Sequence, residues 1–420
     1  MATRRHHNIR DAGFSLVELM VAMLVGTLLT LSVTTLLAEA EGRRRTLQSV
    51  DDMVQIGNYA LYQVDRFIRS AGSGFASSYA LSYGCKLDAV KSGTTLLPVP
   101  ASALPAPFSG FPANINGAFR LTPALIVNNG SGFTNGSSDA LILMSGASGY
   151  GEVPTTFTQA PTSTTLTLTG TLGFNNIYNT SVGDLLLLAD QNSGAGIAPC
   201  LIEQVDLAGF SPSSTTSQVP LAGSYYTASG ADVVLNSFSA SGEAMNLGNP
   251  AGGNPPLFQI LAVKEGSTST NYALYSYDLL NISNPGVASV VADEVFEMHA
   301  LYDVDTDGDS LPDAWVSADP ASSSSIVKSV AYDAASLMTG TTAAAVALHN
   351  IKAIRIGLII RSPLKEKDTI QAATTLSLFR DLTDINGAAL TYTRTLAGAE
   401  INYRYRTLES TVPIRNSFFY

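Results

Sequence analysis

The chain opens on a long apolar block. From Leu19 to Leu37 every position is apolar, small or hydroxyl-bearing. That is about twenty residues, enough to cross a bilayer as a helix. Beyond it the pattern changes, yet no Pro occurs before Pro98 to stop the helix. Leu47, Val50, Val54, Leu61, Val64 and Ile68 recur at three- and four-residue spacing, and Gly57 fills one place in the stripe. The spacing predicts an amphipathic helix continuing to about Ser70, where Ala71-Gly72-Ser73-Gly74 ends it. The two parts read as one helix, Phe14–Ser70, of ~85 Å at ~1.5 Å per residue.

From Phe75 the period shortens. Brief β-type runs alternate with clusters of Gly, Ser, Pro and Asn. Strands are expected at Ala140–Met144, Thr164–Thr169, Asp184–Leu188, Phe258–Val263, Tyr272–Tyr277, Phe296–Tyr302, Lys352–Arg361 and Asn402–Leu408. In the seventh, Ile354, Ile356, Leu358 and Ile360 alternate with Arg355 and Arg361, a half-buried antiparallel pattern. Leu87–Phe133 and Ser211–Pro256 are poor in charge and rich in Gly, Ser and Pro, so they are expected as long surface insertions. The fold class is therefore α+β. A long N-terminal helix, membrane-spanning in its first half, packs on an antiparallel, sheet-rich domain with long loop insertions. No internal repeat occurs.

Charged residues are only 14% of 420, against 45% hydrophobic, so a large core can form. The net charge of −11 leaves no electrostatic footprint for nucleic acid, and none is expected to bind.

One heptapeptide decides the meaning of the apolar block. Gly13-Phe14-Ser15-Leu16-Val17-Glu18-Leu19 follows a leader bearing Arg4, Arg5 and Arg10. A carboxylate at the head of a membrane span is costly, so Glu18 is a functional candidate. The run resembles the class III signal of type IV prepilins. The resemblance implies cleavage between Gly13 and Phe14, N-methylation of Phe14, and Glu18 as fifth residue of the mature chain. An ordinary secretory signal loses its apolar segment, whereas here the helix would be kept. The basic leader would stay cytoplasmic and the bulk would be exported. Glu18 would be neutralised by the Phe14 amine of a neighbouring subunit, which sets register in a filament. A plain signal anchor with a chance Glu is the simpler alternative. On this partition the segments are a leader (1–13), a transmembrane or filament-core helix (14–38), its amphipathic continuation (39–71) and a periplasmic β-rich domain (72–420). Arg43, Arg44 and Arg45 lie between the helix halves, either paired with acids of neighbouring helices or simply solvated. Cys85 and Cys200 fall on the exported side, where disulfides persist, so a bridge is expected, with two buried thiols as the alternative.

Other segments narrow the resemblance. Tyr59-Ala60-Leu61, Asp65-Arg66-Phe67-Ile68-Arg69-Ser70-Ala71-Gly72 and Gly84-Cys85 look like the post-helix signature of the PilW family of minor pilins. Val182 to Asp190, Asp293 to Met298 with Leu301 to Asp309, and Arg404-Tyr405-Arg406 with Val412 to Asn416 are similar to other segments of that family. The second Cys departs from the family pattern, in which it often follows close on the position of Asp190. The resemblance implies an inner-membrane protein that moves to the pilus and the cell surface. Its implied partners are the prepilin peptidase, other minor pilins, the major pilin, the inner-membrane assembly platform and a large tip adhesin. A J-type pseudopilin of a type II secretion system shares the same helix. A tip adhesin binding a surface ligand through the insertions is a third possibility.

Asp303, Asp305, Asp307, Asp309 and Asp313 form the strongest ligand constellation. Alternate Asp residues around Gly308 suit a hard cation such as Ca²⁺. The EF-hand template fails at its twelfth position, Ala314, and the frame from Asp305 resembles the calcium loops of thrombospondin type 3 repeats. A hydrated acidic turn is the plainer alternative. No nucleophile elbow, P-loop, dinucleotide turn or His-Glu-x-x-His pair occurs, and His299 and His349 are isolated. No enzyme activity is expected.

Overall fold

The computed structural model describes residues 15–128, 138–147, 153–174, 181–190, 197–213, 215–265, 272–283, 285–367, 369–370 and 374–418. The chain divides into two compact units, Met1–Asp52 and Met53–Tyr420. One helix, Leu16–Ser70, supplies residues to both.

In the first unit the helix is apolar all round from Leu19 to Leu37. Leu16, Met20, Leu24 and Leu31 are each more than 60% exposed. It is long and apolar enough to cross a membrane, and none of its most apolar stretch is buried. The hydroxyls of Thr27, Thr30, Ser32, Thr34 and Thr35 donate to carbonyls three or four residues earlier. The polar groups are thus satisfied within the helix, as an apolar surrounding requires. Arg43 and Arg45 pair within the helix, with Glu39 at 2.7 Å and Glu41 at 3.0 Å.

In the second unit the buried helix face runs through Met53, Gly57, Ala60, Val64 and Ile68. It is turned slightly from the expected stripe: Leu47 is exposed, and Met53 and Ala60 take central places. Gly57 is the reason the helix sits so close. A Cβ there would lie 2.8 Å from Leu408 Cδ1 and 2.9 Å from Ile360 Cγ1. The helix ends where expected, with Gly72 and Gly74 at φ +81° and +83°.

Three larger sheets follow. The eight-stranded one runs Thr94–Leu97, Leu87–Lys91, Cys200–Gln204, Leu185–Ala189, Glu243–Gly248, Thr155–Gln159, Thr165–Leu168 and Gln218–Pro220. The five-stranded one runs Ser289–Asp293, Tyr272–Asp278, Leu257–Glu265, Ala140–Ser145 and Ala124–Val127. Every pairing in these two sheets is antiparallel except Leu87–Lys91 with Cys200–Gln204.

The four-stranded sheet is built from β1 (Val295–Val304), β2 (Ala314–Ser317), β3 (Ile351–Arg361) and a late strand. A hairpin, β4 (Thr375–Leu378) and β5 (Tyr392–Thr395), lies between β3 and that strand in sequence. The late strand, β6, is Tyr405–Pro413, and the sheet order is β2-β1-β3-β6.

The expected strands are present with small shifts, except the last. Gly398–Asn402 forms a 3-10 helix, so β6 starts at Tyr405 rather than Asn402. Two expectations need correction. Leu87–Phe133 and Ser211–Pro256 are not surface insertions. They contribute Leu87–Lys91, Thr94–Leu97, Ala124–Val127, Gln218–Pro220 and Glu243–Gly248 to the sheets, and Phe108, Phe111 and Phe119 to the core. Their low charge reflected burial, and their Gly and Pro mark turns between short strands. Residues 129–133 lie outside those described. The second correction is β3, which is buried on both faces rather than one. Ile360 meets the helix at Gly57, while Ile359 joins Leu378, Phe379, Leu382 and Leu390 beneath the β4–β5 hairpin.

Candidate functional site

The N-terminal candidates come first. Gly13 and Phe14 lie outside the described residues. Glu18 sits in the first turn of the helix. Ser15 Oγ accepts the Glu18 N–H at 3.2 Å, and Glu18 Oε2 accepts the Ser15 N–H at 3.2 Å. This reciprocal pair is a capping box, which satisfies two of the donors a helix start leaves open. The Ser-x-x-Glu spacing advertises it in the sequence, and the sequence reading missed it. Glu18 therefore has a local task as well as a charge.

The acidic residues divide into three groups. Asp303 lies on β1 opposite Trp315 of β2, and is buried. Burial, with the Asp313 charge added, pushes its carboxyl up to about 7. Asp305, Asp307 and Asp313 bring one carboxylate oxygen each within 4.8 Å of one another. Asp309 stands apart from that trio, its Oδ1 accepting the Leu311 N–H at 2.8 Å. The backbone explains the convergence. Asp305 Oδ1 accepts from Gly308 N at 2.7 Å, and its Oδ2 accepts from Ser310 N at 2.8 Å. Asp313 Oδ1 accepts from Thr306 Oγ1 at 2.8 Å. Gly308 and Ser310 take φ +85° and +69°, which closes the loop. Three like charges so close repel, and a hard cation with oxygen ligands would offset that repulsion. The trio could hold a metal ion.

Cys85 and Cys200 form a disulfide, with Cα atoms 5.7 Å apart and both residues fully buried. It joins the turn after the long helix to the eight-stranded sheet, where Leu87 pairs with Cys200. A loop of 115 residues closed this way is worth about 4–5 kcal/mol on the chain-entropy account.

His349 and His299 are both held by ring stacking. His349 stacks on Tyr79 at 3.8 Å, and burial lowers its pKa to about 4. His299 is 4% exposed. It lies 3.7 Å from Asp139 Oδ2 and 3.3 Å from Glu297 Oε2, and stacks on Tyr392 at 3.6 Å. Burial works to lower its pKa, but the two carboxylates prevail and hold it at about 9. Glu297 is in turn held by Arg394 at 2.7 Å and by the Tyr392 hydroxyl at 3.0 Å. Glu297 lies two residues away on the same strand, whereas Asp139 and Tyr392 come from distant segments that no local spacing could have revealed.

Comparison with known families gives two matches. Residues 9–34 match the prokaryotic N-terminal methylation motif, and residues 260–416 match the family described as type IV pilus-assembly protein W. The first contains Gly13, Phe14 and Glu18; the second contains all five candidate Asp residues. The Tyr59–Cys85 and Val182–Asp190 resemblances lie outside both. No curated protein and no solved structure matches the chain. A methylation motif at the head of a transmembrane-capable helix, and the assembly-protein match across the last sheet, together support a PilW-family type IV pilin with an N-terminal cleavage and methylation signal.

Proposed function

We propose that the chain is a minor pilin that helps to start type IV pilus assembly. Prepilin peptidase cuts after Gly13, and Phe14 becomes the methylated N-terminus. The helix then holds the protein in the inner membrane, with the 72–420 domain on the periplasmic side. There it joins other minor pilins on the assembly platform. The complex primes polymerisation of the major pilin and stays at the tip, where it displays a large adhesin. The observation carrying this is the pair of family matches on one chain, methylation motif at 9–34 and PilW at 260–416. The exposed apolar helix supports it, since such a surface needs lipid or other helices around it. Glu18 would neutralise a neighbour's Phe14 amine as the helix leaves the membrane. The Asp305, Asp307 and Asp313 trio would hold Ca²⁺, with the cation locking the β1–β2 connection rather than taking part in chemistry.

Deleting the gene and assaying sheared pili and a type II-secreted exoenzyme in the same cultures tests this. Loss of pili with normal secretion is expected. Normal pili with blocked secretion would move the protein to the secretion machine. Normal levels of both would overturn the priming role.

A further inference from the structure

We infer that the outer edge of β6 is a docking site for an extended segment of another pilus subunit, which adds a strand there and sets an acidic side chain against Arg406. The inference rests on the minor-pilin reading above and names where a partner binds.

Hydrogen-bond parity defines the edge. Arg404 O accepts from Ser362 N at 2.8 Å, and Ile414 N donates to Lys352 O at 2.8 Å. Both even-numbered residues thus bond toward the β3 side. The β3–β6 register runs from Arg361↔Tyr405 to Ala353↔Pro413 with no bulge. In an antiparallel pair the bonded residues alternate. The main-chain N–H and C=O of Thr407, Glu409 and Thr411 therefore point away from β3. Among the described residues, none of these main-chain groups has a hydrogen-bond partner.

Length sets this edge apart. The other edges of the three larger sheets are Thr94–Leu97, Gln218–Pro220, Ser289–Asp293, Ala124–Val127 and Ala314–Ser317, none longer than five residues. β6 has nine. Proteins blunt free edges with short strands, bulges, Lys or Pro, because an open edge recruits other strands. β6 has no bulge and no Lys, and its one Pro is its last residue. A long, unbulged edge with unpaired main-chain groups is the geometry that β-strand addition uses.

Charge selects the occupant. The chain carries −11 overall, yet residues 352–420 hold ten Lys and Arg against six Asp and Glu. Arg406 and Arg415 are exposed and, among the described residues, have no ion-pair partner. On the opposite face Glu409 is engaged by Arg355 at 3.0 Å and by Phe379 N at 3.1 Å, so Arg406 is the available specificity group. A strand added at the edge places its cross-strand residue ~5 Å from Arg406, where an acid is favoured. A second copy would bring the same cationic border to itself, which disfavours self-pairing.

The test uses the full-length protein in its own cells, with photoreactive benzoylphenylalanine in place of Thr411. Irradiation should join it to another pilus subunit at an extended segment bearing Asp or Glu. Arg406→Glu should cut that adduct at least tenfold. Thr407→Pro should abolish it, since the N–H removed points outward and the β3 ladder is spared. An intact Cys85–Cys200 bridge and an unchanged melting temperature would show that the fold is kept. Should Thr407→Pro fail to fold, Arg406→Glu at its exposed position decides alone. No adduct in wild-type cells, an adduct only with a second copy, or one that survives Arg406→Glu overturns the inference. An adduct with a secretion-system subunit that is lost in Arg406→Glu would keep the edge and sink the pilus role instead.

Discussion

Asn416 caps the end of the long helix: its Nδ2 donates to Ala71 O at 3.0 Å, with Ser70 O at 3.4 Å. The last residues of the chain thus satisfy carbonyls that the helix end leaves open. Fully buried Lys352 on β3 fixes the neighbouring backbone by donating to Ser417 O at 2.7 Å. Asn416→Ala removes the cap and should cost about 1–2 kcal/mol. A urea melt of the processed protein checks it, and an unchanged midpoint would show that the contact contributes nothing.

Glu18 offers a cleaner separation of roles. Gln keeps the capping-box hydrogen bond to Ser15 but carries no charge. Glu18→Gln should therefore leave the helix start and the cleavage intact while lowering incorporation into pili at least tenfold. Incorporation at wild-type level would mean that capping, not charge, is what Glu18 supplies.

The His299 cluster makes stability depend on pH. Its folded pKa of about 9 lies above the ordinary value near 6.5, because Asp139 and Glu297 favour the charged ring. The contribution is full below about 6.5 and fades as pH rises through 9. At 1.36 kcal/mol per unit it amounts to roughly 3 kcal/mol. His299→Gln should be destabilised at pH 6, with a gap from wild type that narrows toward pH 9.5. A gap independent of pH would place the loss in packing.

Calcium is tested by melting temperature. Adding millimolar Ca²⁺ should raise that of the wild type, since a ligand bound only to the folded state stabilises it. Asp307→Ala should remove the rise, because its exposed carboxylate is one of the three that converge while the Asp305 loop contacts remain. An equal rise in the variant, or none in the wild type, rejects the trio as the site.

How much of this was written in the chain follows from where each signal lives. The apolar block and the Gly72 and Gly74 stop are local, and the helix appears where they place it. The run of Ile354 to Ile360 marked a strand but not its second covered face, because the covering residues, Leu378 to Leu390, lie outside its sequence window. Phe108 and Phe119 were hidden by the Pro and Gly around them. Alternate Asp residues drew attention to the whole 303–313 segment. Only the backbone could divide it, putting Asp303 on a strand and bringing Asp305, Asp307 and Asp313 together.

The central claim is processing and entry into the filament, and mass spectrometry of the N-terminus of this protein in sheared pili tests it most directly. The account predicts a chain beginning with N-methylated Phe14 and containing Glu18 at position five, with Gly13→Ala accumulating uncut protein in the membrane. A chain in pili that still begins with the leader, or one cut beyond Leu37 so that the apolar helix is lost, would contradict it.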